Sequence, residues 1–258
     1  MKINILTFDS IDSTNTEAIK QAKMGADEGL CVIARQQTAG RGRHGRSWVS
    51  DKDSGLYFSI VLRPKMDVRF LPLITLMTGV AAYDTLLEYG LKPDLKWVND
   101  LLVDEKKIGG ILAEAIETTN GLAVIVGVGL NLTSRNFPDE IAETATSIEN
   151  ETGRRPSADD VARSLTRYLD YFYGILNRGQ TAEILRQWRQ RSSYFLGKPV
   201  SVTLDGTGFN GVTDGLDENG ALRVKMADGS VRIVQAGDVQ RLRQKDKPPA
   251  ELSRLNMN

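Results

Sequence analysis

Polar and apolar residues alternate at the start of the chain, Lys2-Ile3-Asn4-Ile5-Leu6-Thr7-Phe8, which predicts a strand over 2–8. Thr14-Asn15-Thr16-Glu17 follows with the spacing of a capping box, so a helix is expected from there to about Met24, closed by Gly25. Residues 30–35 and 55–63 are apolar runs of strand length separated by a glycine- and arginine-rich loop. Pro72 opens a long apolar helix that should end near Tyr89-Gly90. Between 94 and 130 the pattern shortens to strands at 95–98, 101–103, 107–115 and 122–127, with Asp104-Glu105-Lys106 as a hairpin turn.

A second helical stretch begins at Ser157, with Val161, Leu165, Leu169, Phe172 and Leu176 at helical spacing, and a shorter helix is expected over 181–192. After Gly197 the pattern becomes short strands (199–204, 208–216, 221–226, 230–235) joined by Asp-Gly and Asn-Gly turns, as in a small barrel or sandwich. These periodicities by themselves support α+β or mixed structure followed by all-β, with a boundary near 195. The polar tail from Lys245, with Pro248-Pro249, is expected to be disordered.

Charge changes the picture only locally. Lys plus Arg and Asp plus Glu are 33 each, so no net field draws the chain to nucleic acid or membrane. The one cysteine, Cys31, lies in an apolar run and reads as a small buried hydrophobe, and a single thiol fits a reducing compartment. The N-terminal apolar run is too short for a signal peptide, and the longer apolar stretches are too short or too interrupted to span a bilayer, which points to a cytoplasmic protein.

No acidic residue occurs between Gly29 and Ser50, and that window contains Gly40-Arg41-Gly42-Arg43-His44-Gly45-Arg46-Ser47-Trp48. Its glycines permit close backbone approach, and its arginines call for an anion such as carboxylate or phosphate. A solvated basic turn or an RNA-binding Gly-Arg segment has the same composition. No P-loop is present, and Gly127-Val128-Gly129 lacks the third glycine of a dinucleotide fingerprint, so a phosphate site here must be of another design.

The segment Gln37-Thr38-Ala39-Gly40-Arg41-Gly42-Arg43-His44-Gly45-Arg46-Ser47-Trp48 resembles the biotin-loop signature of biotin–protein ligases. Asp12-Ser13-Thr14-Asn15, Lys96-Trp97-Val98-Asn99-Asp100, Lys107-Ile108-Gly109-Gly110-Ile111-Leu112-Ala113-Glu114, Gly127-Val128-Gly129-Leu130-Asn131 and Ala145-Thr146-Ser147-Ile148 continue the likeness in the family's order, over roughly residues 3–243. Val98 departs from it, standing where the family often has proline, and His44 stands at an often basic position.

The resemblance implies an α+β fold: a mixed β-sheet flanked by helices, like the class II aminoacyl-tRNA synthetases, over 1–195, then a small SH3-like β-barrel over 196–243 and a tail over 244–258. It implies ATP-dependent ligation of the biotin–[acetyl-CoA-carboxylase] ligase type, in which biotin and ATP form biotinyl-5′-AMP and a lysine of a biotin carboxyl carrier domain receives the biotinyl group. Mg²⁺ is the expected metal. Some family members carry an N-terminal DNA-binding domain; the first strand here begins at residue 2, so no DNA partner is expected. Family members include monomers and dimers, so a homodimer is open.

By the same resemblance, Lys107, Arg41 and Arg43 brace the reacting carboxylate and phosphate. Ser13, Thr14, Asn15, Gln37, Gly40, Gly109, Gly110, Gly127 and Gly129 join Arg41, Arg43 and Lys107 around biotin. Arg43, Arg46, Trp48, Asn99 and Asn131 fall to the adenylate, and Asp100 to that end or to the metal. Trp97 is expected in the core. Two rivals remain: a lipoate–protein ligase, which adenylates its acid on a similar fold, and a nucleic-acid-binding protein using the arginine loop, which predicts steeply salt-dependent binding.

Overall fold

The computed structural model describes residues 1–133, 137–204, 207–235 and 237–241. The first half of the chain forms β1 (Asn4–Phe8), α1 (Thr14–Lys23), β2 (Leu30–Ala34), β3 (Gly55–Leu62), α2 (Pro72–Glu88), β4 (Asp94–Lys96), β5 (Asp100–Val103), β6 (Lys106–Thr118) and β7 (Gly121–Asn131). Four helices follow: α3 (Asp139–Ala142), α4 (Ile148–Thr152), α5 (Ala158–Asn177) and α6 (Thr181–Gln190). The last part is β8 (Leu196–Leu204), β9 (Thr207–Leu216), β10 (Leu222–Lys225), β11 (Val231–Val234) and β12 (Asp238–Arg241). The tail expected from Lys245 lies outside the described residues.

Strands β1 to β7 make one mixed sheet in the order β1-β2-β3-β7-β6-β5-β4, with β1 parallel to β2 and the other neighbours antiparallel. All eight residues of β3 are buried because helices cover both of its faces. On one face Leu56, Phe58, Ile60, Val124, Val126 and Val128 pack with α2 and α5; on the other, Val61, Ala123 and Ile125 pack under Ala18 and Ala22 of α1. Helix α2 lies within Val68–Glu88, the one described helical stretch long and apolar enough to cross a membrane, but most of it is buried in this core. Cys31 is fully buried there too, and desolvation pushes its thiol up to about 12, as suits an unreactive core group.

The β6–β7 hairpin is longer than its apolar pattern predicts. Glycines usually weaken a strand, yet here the ladder runs on through them, pairing Gly127 with Leu112 and Gly129 with Gly110 while Val126, Val128 and Leu130 are buried between. The capping box expected at Thr14 does not form. Ser13, not Thr14, is the N-cap of α1 and makes no side-chain cap bond, while the Thr14 hydroxyl donates to Gln37 Oε1.

Strands β8 to β12 form a five-stranded antiparallel sheet in the order β11-β10-β9-β8-β12. Strand β12 is absent from the sequence reading because Val239 is its lone apolar residue. The two sheets meet at Trp97, which is buried as expected and whose Nε1 donates to Gly220 O at 2.9 Å. Gly220 sits at φ +83°, and an added Cβ would lie 2.7 Å from Leu76 and 2.8 Å from Leu73 on α2. Gly220→Ala is therefore expected to cost about 1–3 kcal/mol through left-handed strain and overpacking. A thermal melt checks it; an unchanged midpoint would mean this junction is loosely packed.

Candidate active site

Directly opposed residues in neighbouring strands share a face of the sheet. Gly110 opposes Gly129, which opposes Tyr57, and Leu112 opposes Gly127, which opposes Ser59. Where the three glycines lack side chains the sheet carries a furrow. Asn15 fills one end of it, since a Cβ on Gly127 would lie 2.3 Å from its Oδ1; Trp48 fills the other, with a Cβ on Gly129 falling 2.5 Å from its indole. Between them opens a cavity roofed by the arginine loop and walled on one side by Gly237 and Val239 from the C-terminal sheet.

A chain of polar contacts forms its floor. Gln37 Oε1 accepts from Thr14 N at 2.8 Å and Thr14 Oγ1 at 3.1 Å. Ser59 Oγ, fully buried, lies 2.7 Å from Thr14 Oγ1 and 2.6 Å from Asn15 Oδ1. Asn15 Nδ2 donates to Glu114 Oε2 at 2.8 Å, and the other Glu114 oxygen pairs with Arg41.

Positive charge dominates the walls: Arg41, Arg43, Arg46, Lys96 and Lys107 line the cavity against a single carboxylate, Asp100. Lys107 Nζ lies 2.6 Å from Asp100 Oδ1 and Lys96 Nζ 3.4 Å from Oδ2. Burial works to raise the Asp100 carboxyl, but the two ammonium groups outweigh it and hold the group below the ordinary carboxylate range. Arg43 Nη1 donates to Asn99 Oδ1 at 3.0 Å, and Asn99 Nδ2 is fixed by Ile111 O at 3.2 Å.

A second, more apolar cavity lies beyond Trp48, lined by Asn131, Phe137, Ile141, Thr144 and Ala145 among others. Trp48 and Lys107 belong to both cavities, with Lys107 Nζ 5.6 Å from the centroid of the indole. Trp48 Nε1 is buried and has no hydrogen-bond partner among the described residues.

Ser13, Thr14, Asn15, Gln37, Arg41, Arg43, Arg46, Trp48, Asn99, Asp100, Lys107, Gly110, Gly127 and Gly129 thus surround one cavity, and three anticipated residues do not. Gly109 is corrected by strand parity: it points to the opposite face, where a Cβ would meet Leu130 at 2.5 Å and Leu101 at 3.3 Å. Gly40 closes the neck of the loop, accepting from Trp48 N at 2.9 Å. Asn131 lines the second cavity and donates to Thr146 O at 2.9 Å. Ser59, Lys96 and Glu114 are site groups that sequence reading did not single out. For Ser59 the signal was there: one polar residue inside a wholly apolar strand must find buried partners.

Asp100, the expected metal ligand, faces ammonium groups with both oxygens, and among the described residues no group of three or more His, Cys, Asp or Glu side chains converges. The described residues do not fit a protein-held ion.

Residues 7–131 match the biotin/lipoate A/B protein ligase family, and residues 195–242 match the biotin protein ligase C-terminal domain. The biotin–[acetyl-CoA-carboxylase] ligase of Mycobacterium tuberculosis is 34% identical over 238 residues, covering 90% of this chain and 86% of that protein. This chain belongs to the biotin–protein ligase family. The bifunctional ligase/repressor BirA of Bacillus subtilis is 34% identical over 245 residues, with 90% and 73% covered. Among solved family structures, the biotin protein ligase of Aquifex aeolicus in complex with biotin and ATP superimposes with a TM-score of 0.81 at 27% identity, over 93% of this chain and 99% of that one. The fold is the family's, a mixed sheet flanked by helices followed by a small SH3-like barrel.

Because the Asp100 carboxyl is depressed in the folded protein, its contribution to stability is present at neutral pH. It is lost as pH falls from the ordinary aspartate value of about 4 through the lower folded value. Asp100→Asn is expected to cost about 1–2 kcal/mol at pH 7, a figure discounted for the partly exposed lysine partner. The gap between mutant and wild-type melting curves should close in acid. A gap that persists undiminished at pH 3 would contradict the assignment.

Proposed function

We propose that this chain is an ATP-dependent biotin–protein ligase that forms biotinyl-5′-AMP and then biotinylates a lysine of a biotin carboxyl carrier domain. One observation carries the reading: a polar, cation-walled cavity and an apolar cavity share the Trp48–Lys107 wall. A carboxylic acid in the first and a purine in the second would bring carboxylate and α-phosphate together beside Lys107. The BirA of Bacillus subtilis is named a ligase and the Aquifex aeolicus structure holds biotin and ATP, which supports a site for an acid and a nucleotide.

Biotin is largely apolar with a polar ureido ring. The ring would lie over Gly127 and Gly110, bonded by Ser13, Thr14, Asn15 and Gln37. Its carboxylate and the triphosphate repel each other, so bracing cations are the main catalytic requirement, and Arg41, Arg43, Arg46 and Lys107 supply them. A carboxylate oxygen attacks the α-phosphorus, the bond from that phosphorus to the bridging oxygen breaks, and pyrophosphate leaves with the electron pair. Lys107 neutralises the oxyanion charge that builds up there. In the second step the carrier's neutral lysine amine attacks the anhydride carbonyl, AMP departs, and the amine proton is lost as the amide forms.

Trp48 would stack on the base, and its Nε1, which has no partner among the described residues, offers a donor to the nucleotide. Mg²⁺ would arrive on the phosphates of ATP and supply charge neutralisation there, since the residues present build no cage of their own. The division of the chain near 195 gives the second sheet a part in the site through Gly237 and Val239.

ATP–pyrophosphate exchange with biotin, lipoate or no acid tests the reading. Exchange should require biotin, and Lys107→Ala should lower it about 10²–10³-fold. Exchange with lipoate alone would move the chain to lipoate ligation, and none with either acid would contradict adenylation.

A further inference from the structure

Glu114 has no part in the reaction as described, yet it stands at the meeting point of two elements of the site. Strand parity puts it on the furrow face of β6, one step beyond Leu112. Its carboxylate is about three-quarters buried, 23% exposed, and its oxygens are divided: one takes Asn15 Nδ2 at 2.8 Å, the other takes Arg41 from the loop. Asn15 is itself wedged, held over Gly127 and bonded to Leu112 O at 3.3 Å.

The contacts continue from Asn15 through Ser59, Thr14 and Gln37 to Ser50, where Gln37 Nε2 donates to Ser50 Oγ at 2.8 Å. Ser50 Oγ then donates to Trp48 O at 3.0 Å. One polar chain therefore leaves the loop at Arg41, crosses the floor of the cavity and returns to the loop at Trp48. We propose that Glu114 is a positioning residue, which fixes the Arg41 end of the loop to the floor of the cavity before any ligand arrives.

The physical argument rests on what each half of the carboxylate holds. A charge-assisted contact to a half-exposed arginine is weak when both partners are free to wander. Here the acceptor is immobilised by a strand and by Asn15, so only Arg41 has entropy to lose. A ligand head group that bonds Thr14 or Asn15 stiffens the same network and with it the Glu114 oxygen presented to Arg41. The proposal builds on the adenylation reading only for its kinetic consequence; the tether itself belongs to the ligand-free protein.

Glu114→Gln keeps an acceptor for Asn15 and removes the charge that holds Arg41, in a side chain of the same shape. Limited subtilisin digestion of the ligand-free chain, with cuts located by mass spectrometry, should show cleavage within 40–48 about tenfold faster than in wild type. The melting midpoint should stay within a few degrees of wild type. In an Arg41→Gln background the same Glu114→Gln change should have no further effect on cleavage. In pyrophosphate exchange the KM for biotin should rise about tenfold with kcat within twofold, the signature of lost positioning. Unchanged cleavage, an equal acceleration in the Arg41→Gln background, or an unchanged KM would each overturn the proposal. If wild type shows no biotin-dependent exchange at all, the ligase reading falls, and the digestion alone then decides the tether.

Discussion

Three arginines and two lysines converge on a cavity that holds one carboxylate, and the ligand-free protein must tolerate that concentration of charge. Asp100 answers the constraint from between Lys96 and Lys107. Its place follows from strand register: Lys96 opposes Asp100 across the β4–β5 pair, while Lys107 lies on the next strand, opposite Leu102. The remaining positive charge sits on the loop, where Arg41 and Arg43 are met by Glu114 and Asn99. Each cation with a partner on the sheet is thus pre-aimed, and an arriving polyanion need not order it from solution.

The sheet contributes shape as well as charge. Removing three side chains from one face at Gly110, Gly127 and Gly129 makes room for Asn15 and Trp48 to sink against the backbone. Those two residues then frame the cavity. The opposite face at the same strands is filled by Val126, Val128, Leu130 and Ile111, so the furrow is backed by packed core. The C-terminal sheet braces this arrangement from outside through the Trp97–Gly220 bond and closes one wall.

Much of this was legible in the chain because the loop and the short motifs are each contiguous: the Gly and Arg run alone only called for an anion, and the other motifs, in order, narrowed the reading. What failed depended on direction or distance. Gly109 and Gly110 are adjacent, and the motif does not say which one faces the cavity; only the pairing of Gly110 with Gly129 decides it. The hydroxyl of Thr14 was expected in a capping box, and a residue 23 positions away, Gln37, takes its hydrogen bond instead. Val239 approaches from a strand with one apolar residue, which no periodicity marks.

The account's central claim is that an acid and a purine occupy adjoining cavities on either side of Trp48, with their reacting atoms meeting at Lys107. A crystal structure with biotin and a non-hydrolysable ATP analogue tests it most directly. The account predicts the bicyclic ring over Gly127, the adenine against Trp48 on the side of Phe137 and Asn131, and the α-phosphate within hydrogen-bond distance of Lys107. Both ligands on one side of Trp48, or an α-phosphate out of reach of Lys107, would contradict it.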